Sequence, residues 1–443
     1  MTELTVGIDI GTSSVKAVAA DADGNVVARA RIPHEFRVPS PLRFEHDAKT
    51  AWYDGPRRAL DALRGIEPRG ISVAAMVPSL TAVDDEGVPC APGLLYGDER
   101  GHTGSTGSPA ESGELAQFLR WHTGERPDAH GYWTAQAVAN HALTGRAVVS
   151  TTVAATAYPL FDWSGWDADL ATDAGARVEQ LGEIAVSGQA AATVPGYDNC
   201  VLEPGTIDAM GEQIVAGADA VGDVLVILGT TLIVWPVIPE RIDGGAYYCI
   251  PHTAPGGIWM MGGPSNAGGL FLDWVTRLLG GDAAAGAGPP ADPRRVPVWV
   301  PYPRGERVPL NDPDRRAQLV DLDLTHGPAA VLRAAFEASG FVGRRTIDAS
   351  PVAARRIVAT GGGTRVSGWV EALADTTGLP VHVCAVPEGG ALGAAFLARM
   401  AAGLETTMTD AAQWARTSRV VDPDPAWVEP AAERYARFVE IAS

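Results

Sequence analysis

Lysine is almost missing from this chain: of 443 residues and 34 basic side chains, only Lys16 and Lys49 are lysines. With Ala and Gly so abundant, that scarcity reads as compositional bias, yet it singles out Lys16 beside a Gly-Thr turn. Basic charge as a whole is in deficit, 34 against 53 acids, for a formal charge of −19. Such a surface repels a phosphodiester backbone, and no local basic patch offsets it, so nucleic acid is excluded as a partner. Cysteine is also sparse. Cys90, Cys200, Cys249 and Cys384 lie far apart with no CxxC pair, which excludes a disulfide scaffold and a zinc knuckle and fits a reduced, cytoplasmic compartment. No apolar run approaches the roughly 20 residues a bilayer span needs. No basic segment followed by an apolar one opens the chain, so no signal peptide and no membrane partner are expected.

What is present is an ordinary globular composition, 46% apolar and 20% charged, long enough for two domains of roughly 200 residues each. From Leu4 to Ile32 the pattern reads strand, turn, strand, an Asp21–Gly24 turn and a third strand, an antiparallel meander. A helix is expected over Ala48–Leu63, a buried strand over Gly70–Met76 and an exposed Gly/Ser/Thr loop over Gly101–Ser112, with two or three helices between Glu114 and Leu143. Near residue 220 the opening arrangement returns: DVLVILGTTLIVWPV (Asp223–Val237) is again strand, Gly-Thr turn, strand. That echo suggests two copies of one domain type, although two unrelated hairpins can share such a turn. Low-complexity sequence follows at Gly280–Pro293, then a helix over Ala329–Gly343. A short strand runs into Gly361–Gly363, a second strand spans Val381–Val386, and a helix spans Ala391–Ala402 before one more in the tail. Alternating strands and helices make this an α/β protein.

Four stretches carry chemistry. In VGIDIGTSSVKAV (Val6–Val18), amides of the Gly11-Thr12-Ser13 turn can form an anion nest, with Lys16 as a compact charge for phosphate and Asp9 suited to a water-bridged Mg²⁺. Taken alone, the stretch reads first as a polar hairpin turn. Gly229-Thr230-Thr231 offers a second such turn, and ATGGGTRVSGW (Ala359–Trp369) lets the backbone approach a flat or phosphorylated ligand. In EPGTIDAMGEQIVAGA (Glu203–Ala218), Asp208 begins a helix. It is either a first-turn acid complementing the dipole or a general base for an attacking hydroxyl.

In this order and spacing the motifs resemble the FGGY family of carbohydrate kinases, within the actin, Hsp70 and hexokinase superfamily, over nearly the whole chain. VGIDIGTSSVKAV is similar to the first phosphate motif, GTIDA to the segment with the catalytic base, and LGTTLIVW to the second phosphate motif. PYPRGERVPLNDPDRR resembles the run before the second family signature, and TGGGTRVSGWVEALAD with PEGGALGAAFLA resembles the adenosine motif and its trailing helix. The resemblance implies two actin-like (ribonuclease H-like) domains, 1–219 for sugar and 220–443 for nucleotide, with ATP and sugar in the cleft between them. It implies that Asp208 is the base and Asp9 the Mg²⁺-linked acid. It implies that Gly11, Thr12, Ser13, Lys16, Gly229, Thr230 and Gly268 serve the phosphates and that Gly362 and Gly363 serve the nucleoside.

The implied reaction is ATP-dependent phosphorylation of a small sugar or polyol, with a ketopentose such as xylulose first. The partner is then a small-molecule sugar, and the reading leaves room for a homodimer. RFEHDAKTAW (Arg43–Trp52) and LLYGDERG (Leu94–Gly101) resemble xylulokinase-like strips, making Asp98 and Arg100 candidate sugar contacts, with a surface ion pair as the plainer alternative. Met76-Val77-Pro78 stands where Met-His-Gly is usual, so Met76 keeps its place while a histidine contact is lost. That departure leaves ribulose, alditols and aldonates open as acceptors. It also leaves open a non-catalytic sensor of the same superfamily, against which the retained Asp208 argues.

Overall fold

The computed structural model describes residues 3–101, 114–242, 246–254, 256–281, 290 and 292–442, and the chain folds as two α/β units. The first unit comprises Met1–Val215 with Glu388–Trp414, the second Ala216–Pro387 with Ala415–Ser443. A single boundary at 219/220 therefore lies near the first crossing but omits the return of Glu388–Trp414 to the first unit. The expected loop at 101–112 lies almost wholly outside the described residues, as does most of 280–293.

In the first unit β1 (Leu4–Ile10), β2 (Ser14–Ala20) and β3 (Val26–Pro33) form the antiparallel meander, and Pro68–Ala75 adds in parallel to the other side of β1. The short strands Val201–Leu202 and Thr206–Ile207 both pair in parallel with Pro68–Ala75. β1 and β2 are almost continuously buried, as strands covered on both faces must be. β3 alternates burial residue by residue, the mark of a half-solvated edge strand. The core gathers Val6, Ile8, Ile10, Val15, Trp52 and Val73.

The second unit repeats this plan. Asp223–Leu228, Leu232–Ile238 and Trp259–Ser265 run antiparallel, and Arg356–Thr360 pairs in parallel with Asp223–Leu228. Val381–Cys384 and Thr417–Val421 extend that edge. The helix Pro328–Asp348, longer than its apolar spacing suggested, contributes Phe341 and Val342 to a core shared with Val226, Val234 and Trp369.

Composition explains why Glu388–Trp414 belongs to the first unit. Its helix Gly389–Ala401 (GGALGAAFLARMA) is apolar all round and buried along nearly its whole length, so it must be covered on every side. Thr5 Oγ1 of β1 donates to Ala395 O at 2.9 Å. Backbones here approach so closely that only glycine fits. A Cβ on Gly393 would stand 2.0 Å from the Gly211 carbonyl oxygen of helix Asp208–Ala216.

Two predictions follow from this packing. Helix propensity favours alanine over glycine by about 1 kcal/mol, so Gly124→Ala, whose new methyl meets nothing within 4 Å, should be neutral or stabilising in urea unfolding. Gly393→Ala should instead cost about 1–3 kcal/mol through overpacking; equal effects at the two positions would refute the tight crossing. The second concerns His122, which is fully buried with Nε2 against Leu80 O at 3.1 Å. Burial pushes its imidazole down to about 4, so the stability tied to its neutral form is complete above about 6.5 and drains away as pH falls toward 4. Relative to His122→Gln, the parent should lose about 2 kcal/mol between pH 7.5 and 5; parallel stability curves would contradict this.

Candidate active site

Register places the first pair. Asp9 of β1 lies directly opposite Lys16 of β2, so the two side chains project from one face and meet at 3.0 Å, Lys16 Nζ to Asp9 Oδ2. The Asp9 carboxylate holds the Lys16 ammonium above its ordinary pKa against the cost of burial, with Glu212 and Glu388 acting in the same sense. Asp9 Oδ1 is buried with no partner among the described residues. A Cβ on Gly390 would come within 3.5 Å of that oxygen, and equally of Asp208 O. Gly390 thus lies in ordinary contact distance of the acid and of the Asp208 backbone. Between β1 and β2 the Gly11-Thr12-Ser13 turn is closed by Gly11 N donating to Ser14 O at 3.1 Å.

The arm bearing Asp208 is set from beneath. Thr206 and Ile207 pair with Ala74 and Ala75, after which the helix Asp208–Ala216 begins at once. Asp208 is partly exposed, and its Oδ1 accepts from Ala209 N at 2.7 Å. Five residues earlier, Glu203 is fully buried. It accepts from Ser72 Oγ (2.5 Å), Gly188 N (2.8 Å) and Gly205 N (2.8 Å). Burial drives its carboxyl up to about 7. Asn140 Nδ2 adds a bond to Pro204 O at 2.8 Å, and Gln136 Nε2 one to Thr206 O at 3.3 Å. Sequence reading passed over Glu203; the available signal was an acid set between an apolar strand and a Pro-Gly turn.

In the second unit, the carbonyls of Gly229 and Thr230 accept from Gly269 N (2.8 Å) and Leu270 N (3.1 Å), the first amides of helix Gly269–Leu278. Those amides thus hold the turn rather than facing a ligand. Gly268 is the hinge of that contact: a Cβ there would lie 2.4 Å from Leu232 N and 2.5 Å from the Thr231 carbonyl carbon. Glu306, from the GERVP run, is buried and receives Asn266 N at 3.2 Å, while Asn266 Nδ2 bonds Gly305 O at 2.9 Å. Burial raises the Glu306 carboxyl to about 8. Like Glu203 it braces a glycine-bearing loop, and nothing in its motif announced that. Of the glycine triplet, Gly361 needs its φ of +89°, and a Cβ on Gly363 would strike the Trp369 ring at 2.3 Å. Gly362 faces open space.

The strip expected to meet sugar is tightly self-paired. Asp98 is fully buried, and each of its oxygens takes two bonds: Oδ1 from Arg100 N and Nε, Oδ2 from Phe44 N and Arg100 Nη2, all at 2.6–2.9 Å. Arg100 also reaches Glu45 at 2.8 Å and stacks 4.8 Å from the Trp121 ring centroid. Asp98 acts as the holder of Arg100. Met76 is buried in the apolar core. Among the described residues no cluster of three or more His, Cys, Asp or Glu could by itself ligate a metal. No described helix is long and apolar enough to cross a membrane.

Comparison with known proteins shows the family. The N-terminal domain of the FGGY family of carbohydrate kinases matches residues 4–197, and its C-terminal domain matches residues 224–402. A xylulose kinase of Klebsiella pneumoniae is 29% identical over 441 residues, covering 89% of each chain. A gluconokinase of Bacillus licheniformis is 25% identical, covering 91% of this chain and 88% of its own. The crystal structure of gluconate kinase from Lactobacillus acidophilus superposes with a TM-score of 0.82 at 21% identity, covering 100% of this chain and 98% of that one; at that identity it speaks for the fold alone. With both domain models matched in order over most of its length, the chain belongs to the FGGY family of carbohydrate kinases and is an ATP-dependent phosphotransferase acting on a sugar.

Proposed function

We propose that the chain transfers the γ-phosphoryl group of ATP to a hydroxyl of a ketopentose, xylulose first, with an aldonate such as gluconate as the second acceptor class. The observation that carries this reading is the Asp9–Lys16 pair on one hairpin, with Gly390 bringing the Asp9 carboxylate and the Asp208 backbone carbonyl, from distant segments, to one place. Similarity to both a xylulose kinase and a gluconokinase supports the two acceptor classes.

In this reading Asp208 takes the proton from the attacking hydroxyl. It stands in the first turn of its helix. Lys16 lies on the transferred phosphoryl, and the Thr12 and Ser13 amides of the turn that Gly11 closes cradle the same group. Gly229 and Thr230, held by Gly268, bind the neighbouring phosphates, and Gly362 and Gly363 lie against the nucleoside. Asp9 Oδ1, without a partner among the described residues, suits Mg²⁺ linked through water. Bound there, the ion would offset the negative charge of the phosphate oxygens. Arg100, oriented by Asp98, is the group offered to the sugar.

ADP release would be followed with Mg-ATP and a panel of ketoses, alditols and aldonates, xylulose and gluconate among them. Sugar-stimulated turnover is expected for at least one, and Asp208→Asn should lower kcat by about a hundredfold or more, with KM for ATP nearly unchanged. A loss below about tenfold would reduce Asp208 to a helix-terminal acid, and silence across the panel would sink the acceptor assignment.

A further inference from the structure

Behind the first Gly-Thr turn lies a buried imidazole that phosphoryl transfer does not itself require. His46 is fully buried, as is Trp52. His46 Nε2 lies 2.8 Å from Thr12 O, and Trp52 Nε1 lies 3.0 Å from His46 Nδ1. The two contacts fix the tautomer. An indole N–H only donates and a carbonyl only accepts, so Nδ1 is the acceptor and Nε2 carries the hydrogen. His34 closes the group, its ring 4.5 Å from that of His46 and its backbone N donating to Ser13 O at 3.1 Å.

A trans peptide is planar, with C=O and N–H pointing to opposite sides. None of the cis bonds in the chain lies in this turn. Anchoring Thr12 O from behind therefore aims the Ser13 N–H forward. We propose that His46, held in its Nε2–H form by Trp52, is a positioning residue that points the Ser13 amide at the phosphate chain of ATP. The inference rests on the reading that this turn takes phosphate.

The second unit shows why such an anchor matters. There the matching carbonyl, Thr230 O, is held by Leu270 N of an adjoining helix. Among the described residues of the first unit no helix amide lies on Thr12 O, and a side chain from Arg43–His46 holds it instead. Burial pushes the His46 imidazole down to about 3, so the neutral ring and its single N–H persist across the pH range in which the protein is assayed.

The test is calorimetric titration of the full chain with ATP and, separately, with adenosine, which has no phosphate. His46→Leu should weaken ATP at least about tenfold, as loss of a buried hydrogen bond plus a misaimed amide would, while leaving adenosine within about threefold. His46→Gln, whose amide both donates and accepts, should restore ATP affinity to within about threefold of the parent. Equal losses for ATP and adenosine, or no loss for ATP, would overturn the proposal. If His46→Leu does not fold, Trp52→Phe decides: it keeps an aromatic ring but removes the indole N–H that holds Nδ1 as acceptor and steadies the His46 ring, so a selective loss for ATP supports the proposal and unchanged affinity overturns it. Lys16→Gln, measured in parallel, separates the two levels. If it loses ATP and His46→Leu does not, the phosphate reading stands and the role of His46 falls. If neither loses ATP, both fall.

Discussion

The planar peptide is the constraint on which both Gly-Thr turns depend. An amide can be presented to an anion only if the carbonyl on the far side of the same plane is satisfied within the protein. The two units meet this demand with different donors. Helix amides Gly269 N and Leu270 N hold Gly229 and Thr230, whereas His46 Nε2 and His34 N hold Thr12 and Ser13. The repeated topology fixes where the turns are; these donors fix which way their amides face.

A second pattern is the buried carboxylate without a fully compensating cation. Glu203 and Glu306 each accept hydrogen bonds from the backbone of a glycine-bearing loop, and burial raises the pKa of both. Desolvating a carboxylate is costly, and each instead gathers donors that a loop would otherwise leave unpaired in the interior. Glu203 lies in the arm that leads to Asp208, and Glu306 receives the Asn266 amide two residues before Gly268. Loops that must hold a reacting group in place need such fixed partners, because their own backbone cannot pair in a ladder.

Much of the architecture was legible in the residues. The meander from Leu4, the echo at Asp223–Val237 and the strand before Gly361 all stand in the structure close to their expected bounds, because hydrophobic period and turn chemistry are local properties. The division of the chain was only half legible. Helix Gly389–Ala401 follows the nucleotide motif in sequence yet packs on β1, since a helix apolar on all sides goes where complementary glycines let it approach. Asp98 and Arg100 read as a sugar-facing pair; the structure makes one the clamp of the other.

By itself, then, the sequence determined the α/β class and the Gly-Thr turns and suggested the duplication; the pairing of Asp9 with Lys16 came from the strand register. It could not determine the roles of His46, Trp52, Glu203 and Glu306. A histidine in RFEHDAKTAW or a glutamate in VLEPG has the same local pattern whether it faces water or the interior. Only the tertiary structure brings Trp52 onto one ring nitrogen and Thr12 O onto the other, and so decides the tautomer. The reason is physical: hydrogen-bond direction and desolvation depend on neighbours distant in the chain, and hydrophobic periodicity carries no record of them.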